Sequence, residues 1–303
     1  TSYYPMHQYG LIMRFVDVDL NTLNYDLNTL EESITSKTRM ILAINVLGNP
    51  NRLLEIRKLC DQKNLILFED NCESFGAKYK GKLAGTWGHV GTFSSYFSHH
   101  LNTIEGGLIL TESKTLSSII RSIRSHGWDR GLDLTVKEIT QNKKKKSTFT
   151  NGFDFYYPGY NIRPMELSAV IGMVQLKKVN KLIKVRRNNA KIFEKIIHSM
   201  PYLKSQKETG ESSWFSFSII VHEDANITRH FLVKSLEEKG IITRPIVSGN
   251  FLKQPVMKYM NHNVYGETPN ADLIHSNGFY IGNHGHDISQ ELGCFEALCK
   301  GCI

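Results

Sequence analysis

Two histidines stand side by side at residues 99 and 100, in the stretch FSSYFSHHLNTIEGG (93–107). An imidazole has an ordinary pKa of about 6.5, so a histidine at such a polar corner can give or take a proton near neutrality. Glu69 and Asp70 close the apolar run LILF, and Ser94 and Ser98 stand just before the histidine pair. Further along, His126 and Arg130 fall in RSHGWDR (124–130), and Asn161 in PGYNIRP (158–164). Taken singly, each has a plain structural reading. Asp70 could end a strand or cap a helix, Ser94 could be an ordinary strand residue, and His126 could pack on Trp128. Arg130 could be a surface charge, and the histidine pair could be structural. Because side chains alternate along extended chain, only one of two adjacent histidines is expected to face a pocket.

The elements that must position these residues follow from hydrophobic pattern. Residues 12–19 alternate like a strand, and 28–34 form a short helix with Asn28 as its N-cap. RMILAINV (39–46) and LILFED (65–70) have the length and composition of buried strands, and 49–64 between them has helical spacing. The runs 91–97 and 107–111 read as strands, and 113–125 as a helix. Strands alternating with helices predict an open, largely parallel sheet, whose ligands bind beyond the carboxyl ends of the strands. Residues 129–157 are polar and basic and read as a long loop. Residues 163–197 form a long helix, followed by a strand at 213–221 and a helix at 228–240 stopped by Gly240. The expected organisation is a larger domain over 1–185 and a smaller α+β domain over 186–303.

The chain has 303 residues, 41% of them hydrophobic, and a net charge of +8 from 37 basic and 29 acidic side chains. Part of the excess is KKKK at 143–146, which lacks interleaved aromatic residues and reads as a solvated loop rather than a nucleic-acid groove. Five cysteines, with none between Cys72 and Cys294, give no disulfide framework and point to a reducing cytoplasm. Cys294, Cys299 and Cys302 read as parts of a loose tail. No apolar run reaches transmembrane length, so no membrane partner is expected. The sequence opens without Met, in what reads as the middle of an element, so an N-terminal portion of the natural protein is expected to be missing.

The segment from LILFEDNCESFGAKYKGKLAGT to EGGLILT resembles the sugar aminotransferases of the DegT/DnrJ/EryC1/StrS family, fold type I enzymes that use pyridoxal phosphate. In that family an Asp within an EDAAQ-like segment pairs with the pyridine nitrogen, and a Lys six residues before the Glu of EGG binds the cofactor covalently. Six residues before Glu105 this chain has His99. That departure is similar to the histidine-bearing 3-dehydratases of nucleotide sugars. DNCESFGAKYKGKLAGT, SHHLNTIEGG, RSHGWDR, PGYNIRP, ETGESSWFSFSII, RPIVSGNF and GNH stand in the order that this group shows, over most of residues 1–290. The closing GCFEALCKGCI has no counterpart there.

The resemblance implies a fold type I large domain, truncated at its N-terminus, with pyridoxal or pyridoxamine 5′-phosphate held without a covalent bond. It implies His99 as the acid/base group. Asp70, Glu73, Ser94 and Asn161 would bind the cofactor, with Asn161 reaching the neighbouring subunit of a homodimer that shares active sites. Ser98, His126 and Arg130 would face the substrate, a GDP-linked 4-keto-6-deoxymannose losing its 3-hydroxyl, and L-glutamate would restore the amine form. Other classes remain on the page. A zinc enzyme would have to use His99, His100, His284 and His286, whose spacings suit zinc poorly. A CDP-sugar 3-dehydrase needs an iron–sulfur cluster that the cysteine spacing does not supply. A plain aminotransferase lacks its lysine here. A binding-only relative is the non-enzymatic alternative.

Overall fold

The computed structural model describes residues 1–130, 132 and 153–302. The basic run 143–146, and with it most of the loop expected over 129–157, lies outside the described residues.

Three neighbouring parallel strands make up most of one four-stranded sheet: β2 (Met40–Ile44), β3 (Ile66–Asp70) and β6 (Val90–Ser94). A fourth, β7 (Gly107–Leu110), pairs antiparallel with β6, so the sheet order is β2-β3-β6-β7. Helix α3 (Leu53–Lys63) makes the crossover between β2 and β3 and ends at Asn64 in the left-handed conformation. Its Leu53, Ile56 and Cys60 are buried with Ala43 and Leu67 of the strands. Burying side chains of this size is worth roughly 1.5–3 kcal/mol each, and that contact fixes the strand ends relative to one another. A short hairpin, β4 (Lys78–Tyr79) and β5 (Lys82–Leu83), lies between β3 and β6.

Residues from 190 onward build a second core. Strands β8 (Leu203–Lys204), β9 (Ser216–Val221), β10 (Thr243–Arg244) and β12 (Gly278–Gly282) form an antiparallel sheet in the order β10-β12-β9-β8. Phe193, Phe217, Phe279 and Phe295 fill it, with the Phe193 and Phe217 rings stacked at 4.3 Å. Phe193 belongs to the helix α5 (Glu166–His198), 33 residues long, which carries buried side chains from Val179 onward.

Four local expectations need correction. The strand expected over 12–19 shortens to β1 (Met13–Phe15), paired in parallel with β11 (His262–Val264). The N-cap of α2 (Leu27–Glu32) is Asp26, whose carboxylate accepts from the Thr29 N–H; Asn28 is inside the helix. The strand expected from 213 starts only at Ser216, because Trp214 takes a φ of +49° and turns the chain. The C-terminal cysteines do not sit in a loose tail. Residues Ser289–Gly301 form a helix (α8) that buries Leu292, Phe295 and Cys299 in the second core. No helix among the described residues is long and apolar enough to cross a membrane.

Candidate active site

Glu69 and Asp70 end β3 and point to opposite sides, as consecutive strand residues must. Glu69 is wholly buried and accepts from the backbone N–H groups of Gly85, Trp87 and Gly88. It anchors the loop after the β4–β5 hairpin, and burial raises its pKa. Asp70 is left to the other side. Its carboxylate accepts from the Ser2 hydroxyl at 2.6 Å and from the Cys72 N–H at 3.1 Å. A buried asparagine set holds this strand end in place: Asn45 donates to Asn71, and Asn51 donates to Asn45 and to the Ile44 carbonyl.

Glu73 lies one turn beyond Asp70 and accepts from the Leu47 N–H at 2.8 Å. Burial pushes its carboxyl up to about 7, and the neighbouring Asp70 charge adds to the rise. Leu47 has a φ of +53°, a conformation that costs a non-glycine residue energy and persists only where its surroundings enforce it. Glu73 holds its N–H, and the Phe215 N–H binds its carbonyl.

The histidine pair is carried by a loop closed at its neck. Ser94 and Gly107 are paired across β6 and β7, and residues 95–106 leave and return at that point. The Ser95 N–H binds the Gly106 carbonyl, and Thr103 donates to Ser95 and to the Glu105 carbonyl. A side chain at Gly106, whose φ is +144°, would meet the Ser95 and Thr103 hydroxyls at 2.8 and 3.0 Å. That requirement explains the first glycine of EGG. Ser94, at the strand end, accepts from the Tyr96 N–H; Ser98 is exposed.

His99 and His100 differ in burial, but not through strand alternation: they lie in a turn, closed by the His99 N–H on the Tyr96 carbonyl, and both rings pack against Phe215. His100 is buried, with Nε2 3.1 Å from the Ser213 carbonyl, and burial pushes its pKa down to about 3. His99 is half-buried, its ring 5.2 Å from that of Phe215, and its Nδ1 is buried with no partner among the described residues. Burial lowers its pKa, the Asp70 charge opposes that effect, and the Arg186 cation adds to it. An imidazole kept neutral beside a strand-end carboxylate is suited to accept a proton.

His126, Arg130 and Asn161 are gathered by a different part of the fold. Residues 154–162 run back along 123–129, with bridges Ser125–Asn161 and Trp128–Phe155. The two strands touch backbone to backbone at Gly127 and Gly159. A side chain at Gly127 would clash with the Tyr157 carbonyl, and one at Gly159 with the Gly127 N–H. His126, at a φ of +64°, packs on Trp128, and the Arg130 guanidinium lies over the rings of Trp128 and Phe153 at 4.9 and 4.4 Å. Asn161 is exposed, next to a Tyr9–Tyr160 hydroxyl pair. Asp70, Glu73, Ser94 and His99 thus share the strand ends, and His126, Arg130 and Asn161 form a second group.

The donor set fits a pyridoxal-type cofactor. A carboxylate of the Asp70 kind suits a protonated pyridine nitrogen, and the unpartnered Nδ1 of His99 marks a buried polar place that protein atoms leave open. Lys80 and Lys82 lie at the β4–β5 hairpin and are engaged there: Lys80 pairs with Glu55, and Lys82 lies over the Trp87 ring. Sequence reasoning missed Ser2, Leu47, Phe215 and Arg186. All four meet the site through folding contacts between distant segments, which no local spacing reveals.

The family model described as DegT/DnrJ/EryC1/StrS aminotransferase matches residues 1–291, and the chain belongs to that family. Within it, the chain is similar to the GDP-4-keto-6-deoxy-D-mannose 3-dehydratase of Yersinia pseudotuberculosis, 49% identical over 96% of this chain and 74% of that enzyme. A solved structure of the Escherichia coli enzyme of the same name, with bound hydrated PLP, is 46% identical, with a TM-score of 0.92 over 98% of this chain and 76% of that one. A histidine-to-asparagine variant of the dehydratase with bound GDP-perosamine superposes with the same TM-score and coverage.

Proposed function

We propose that this protein removes the 3-hydroxyl of GDP-4-keto-6-deoxy-D-mannose, giving GDP-4-keto-3,6-dideoxy-D-mannose, with a non-covalently held B6 cofactor and L-glutamate as amine donor. The observation that carries the reading is a half-buried His99, its pKa lowered by burial and opposed by the charge of the strand-end carboxylate Asp70, in a chain 49% identical to a dehydratase of that specificity. When bound, the cofactor would supply an amine for the 4-keto carbon and a ring that takes up electrons while the hydroxyl departs as water, and hydrolysis would then restore the ketone with release of ammonia.

The chain's own residues do the rest. Asp70 keeps the ring nitrogen protonated, which makes the ring a stronger electron acceptor. Glu73 binds on the same side, and Ser94 offers a hydroxyl to the phosphate. His99 would take the proton from the cofactor's own amine-bearing carbon and return it to the departing oxygen; as an imidazole it leaves the aldehyde free. Ser98, His126 and Arg130 face the sugar nucleotide, where the guanidinium suits the diphosphate. Asn161 reaches the cofactor phosphate of a second copy.

That arrangement needs a homodimer. The first half of α5 supports it: Leu167, Val170, Met173 and Leu176 are each more than half exposed on a helix whose second half is packed into the protein. We also take residues 1–185 and 186–303 as the two domains, and the cytoplasm as the location of a protein whose five cysteines are all unpaired. The test is to incubate the protein with pyridoxamine phosphate, GDP-4-keto-6-deoxy-D-mannose and L-glutamate and identify the product. A 3-deoxy ketosugar supports the reading; a 4-amino sugar that keeps its 3-hydroxyl overturns it.

A further inference from the structure

We infer that Arg186 is a positioning residue for His99, tying residues 213–215 and 283–286 to α5 so that the Phe215 ring and the Ser213 carbonyl are fixed against the histidine pair. The inference rests on the proposed role of His99 as the proton acceptor.

Arg186 is a cation in an unusual place. It is 8% exposed, and none of the ion pairs among the described residues includes it. Its Nη1 donates instead to the carbonyls of Asn283 at 2.6 Å and Phe215 at 2.9 Å, with the Trp214 carbonyl at 3.5 Å. Burying an unpaired charge is costly, so backbone dipoles must be held in a fixed array around it. Asn283 completes that array by donating to the carbonyls of Trp214 and Arg186. One turn further along α5, Asn189 donates to the Asn283 side chain and to the carbonyls of His284 and His286. The cation is therefore the centre of a buried clamp that joins three segments far apart in sequence.

The clamp meets the candidate site through residues 213–215. Trp214 is held at a φ of +49°. On one side of it the Ser213 carbonyl faces His100, and on the other the Phe215 ring packs against both imidazoles. The groups that act on His99 are the Asp70 carboxylate from β3, the Arg186 guanidinium from α5 and, from its own loop, Tyr96 and His100. Asp70 favours the protonated ring. Arg186 and the burial that the clamp enforces favour the neutral one.

The experiment compares Arg186→Met and Arg186→Lys with the parent protein. The first readout needs neither cofactor nor turnover: the His99 ring is titrated by NMR in protein with isotope-labelled histidine, assigned with His99→Gln. The expected result is an upward movement of the His99 midpoint in Arg186→Met and a smaller one in Arg186→Lys, because lysine keeps the charge and one donor nitrogen on a shorter, differently shaped side chain. In turnover, kcat is expected to fall on the order of tenfold or more, with KM changed by less than about twofold, and the acid limb of kcat to move in the same direction as the midpoint. Should Arg186→Met fail to fold, Asn283→Ala carries the same expectation, because it loosens the Trp214 carbonyl and leaves the cation in place. A His99 midpoint unmoved in variants that melt like the parent overturns the inference, as does a loss of kcat with an unmoved acid limb. If the parent shows no dehydratase activity, the proposed function fails, and the NMR midpoint still decides whether Arg186 acts on His99.

Discussion

The Nε2 atom of His100 lies 3.1 Å from the carbonyl oxygen of Ser213, a contact that spans 113 residues of sequence. It joins the loop after β6 to the entrance of β9 and requires a proton on Nε2, since the carbonyl can only accept. Burial pushes the folded-state pKa of His100 to about 3, against an ordinary 6.5. The unfolded chain takes up a proton below 6.5, and the folded protein does not until about 3. The contribution of His100 to stability is therefore complete above 6.5 and declines as pH falls from 6.5 to 3. The melting-temperature difference between the parent and His100→Gln should shrink across that window. A difference that is constant from neutrality to pH 4 would show that His100 is not held neutral.

Glu73 acts with the opposite sign. Its folded pKa is raised to about 7 from an ordinary 4.5, so its contribution is complete below 4.5 and is lost as pH rises toward 7. Glu73→Gln, which mimics the protonated carboxyl, should gain stability relative to the parent as pH climbs through that range. Thermal melts at a series of pH values read the effect, and a parallel pH dependence in both proteins would contradict it.

Asp70 is the group proposed to face a cationic ring nitrogen. Asp70→Asn keeps the shape and removes the charge, so the affinity for pyridoxamine phosphate should fall by on the order of 2 kcal/mol, roughly thirtyfold. Absorbance titration measures it. Equal affinity would place the ring nitrogen elsewhere.

Gly127 and Gly159 bring two stretches of backbone into direct contact, and Gly127 has a φ of +80°. Gly127→Ala should cost about 1–3 kcal/mol and release residues 154–162 from their partner stretch. Hydrogen exchange at the Tyr156 and Tyr160 amides, which bind the Gly127 and Ile123 carbonyls, reports that release.

Much of this was legible in the sequence wherever local pattern decides the outcome. The buried strands ending at Ile44 and Asp70 are apolar runs of strand length, and the helix between them shows its spacing plainly. The missing lysine opposite EGG is visible without a structure. What the sequence conceals is set by distant contacts. Trp214 and Leu47 take left-handed backbone because each is held by the other's segment, so the strand at 213 begins late. Asp26 rather than Asn28 caps α2, since both are good caps and tertiary packing chooses where the helix starts. The C-terminal helix hid behind its glycines and cysteines, yet Phe295 is buried against Phe193, and Phe295→Ala should cost about 3–5 kcal/mol in a chemical melt. Arg186 gave no signal at all, because one more basic residue on a long helix looks solvated until its carbonyl partners are seen.

The central claim is that His99 does the proton work of the proposed dehydration. The most direct measurement is single-turnover product analysis of the parent, His99→Asn and His99→Lys with pyridoxamine phosphate and GDP-4-keto-6-deoxy-D-mannose. The parent should yield a sugar nucleotide lighter by one oxygen atom. His99→Asn should bind the cofactor and leave the substrate unchanged, and His99→Lys should gain a borohydride-trappable bond to pyridoxal phosphate. A His99→Asn protein that still removes the 3-hydroxyl at the parent's rate would contradict the account.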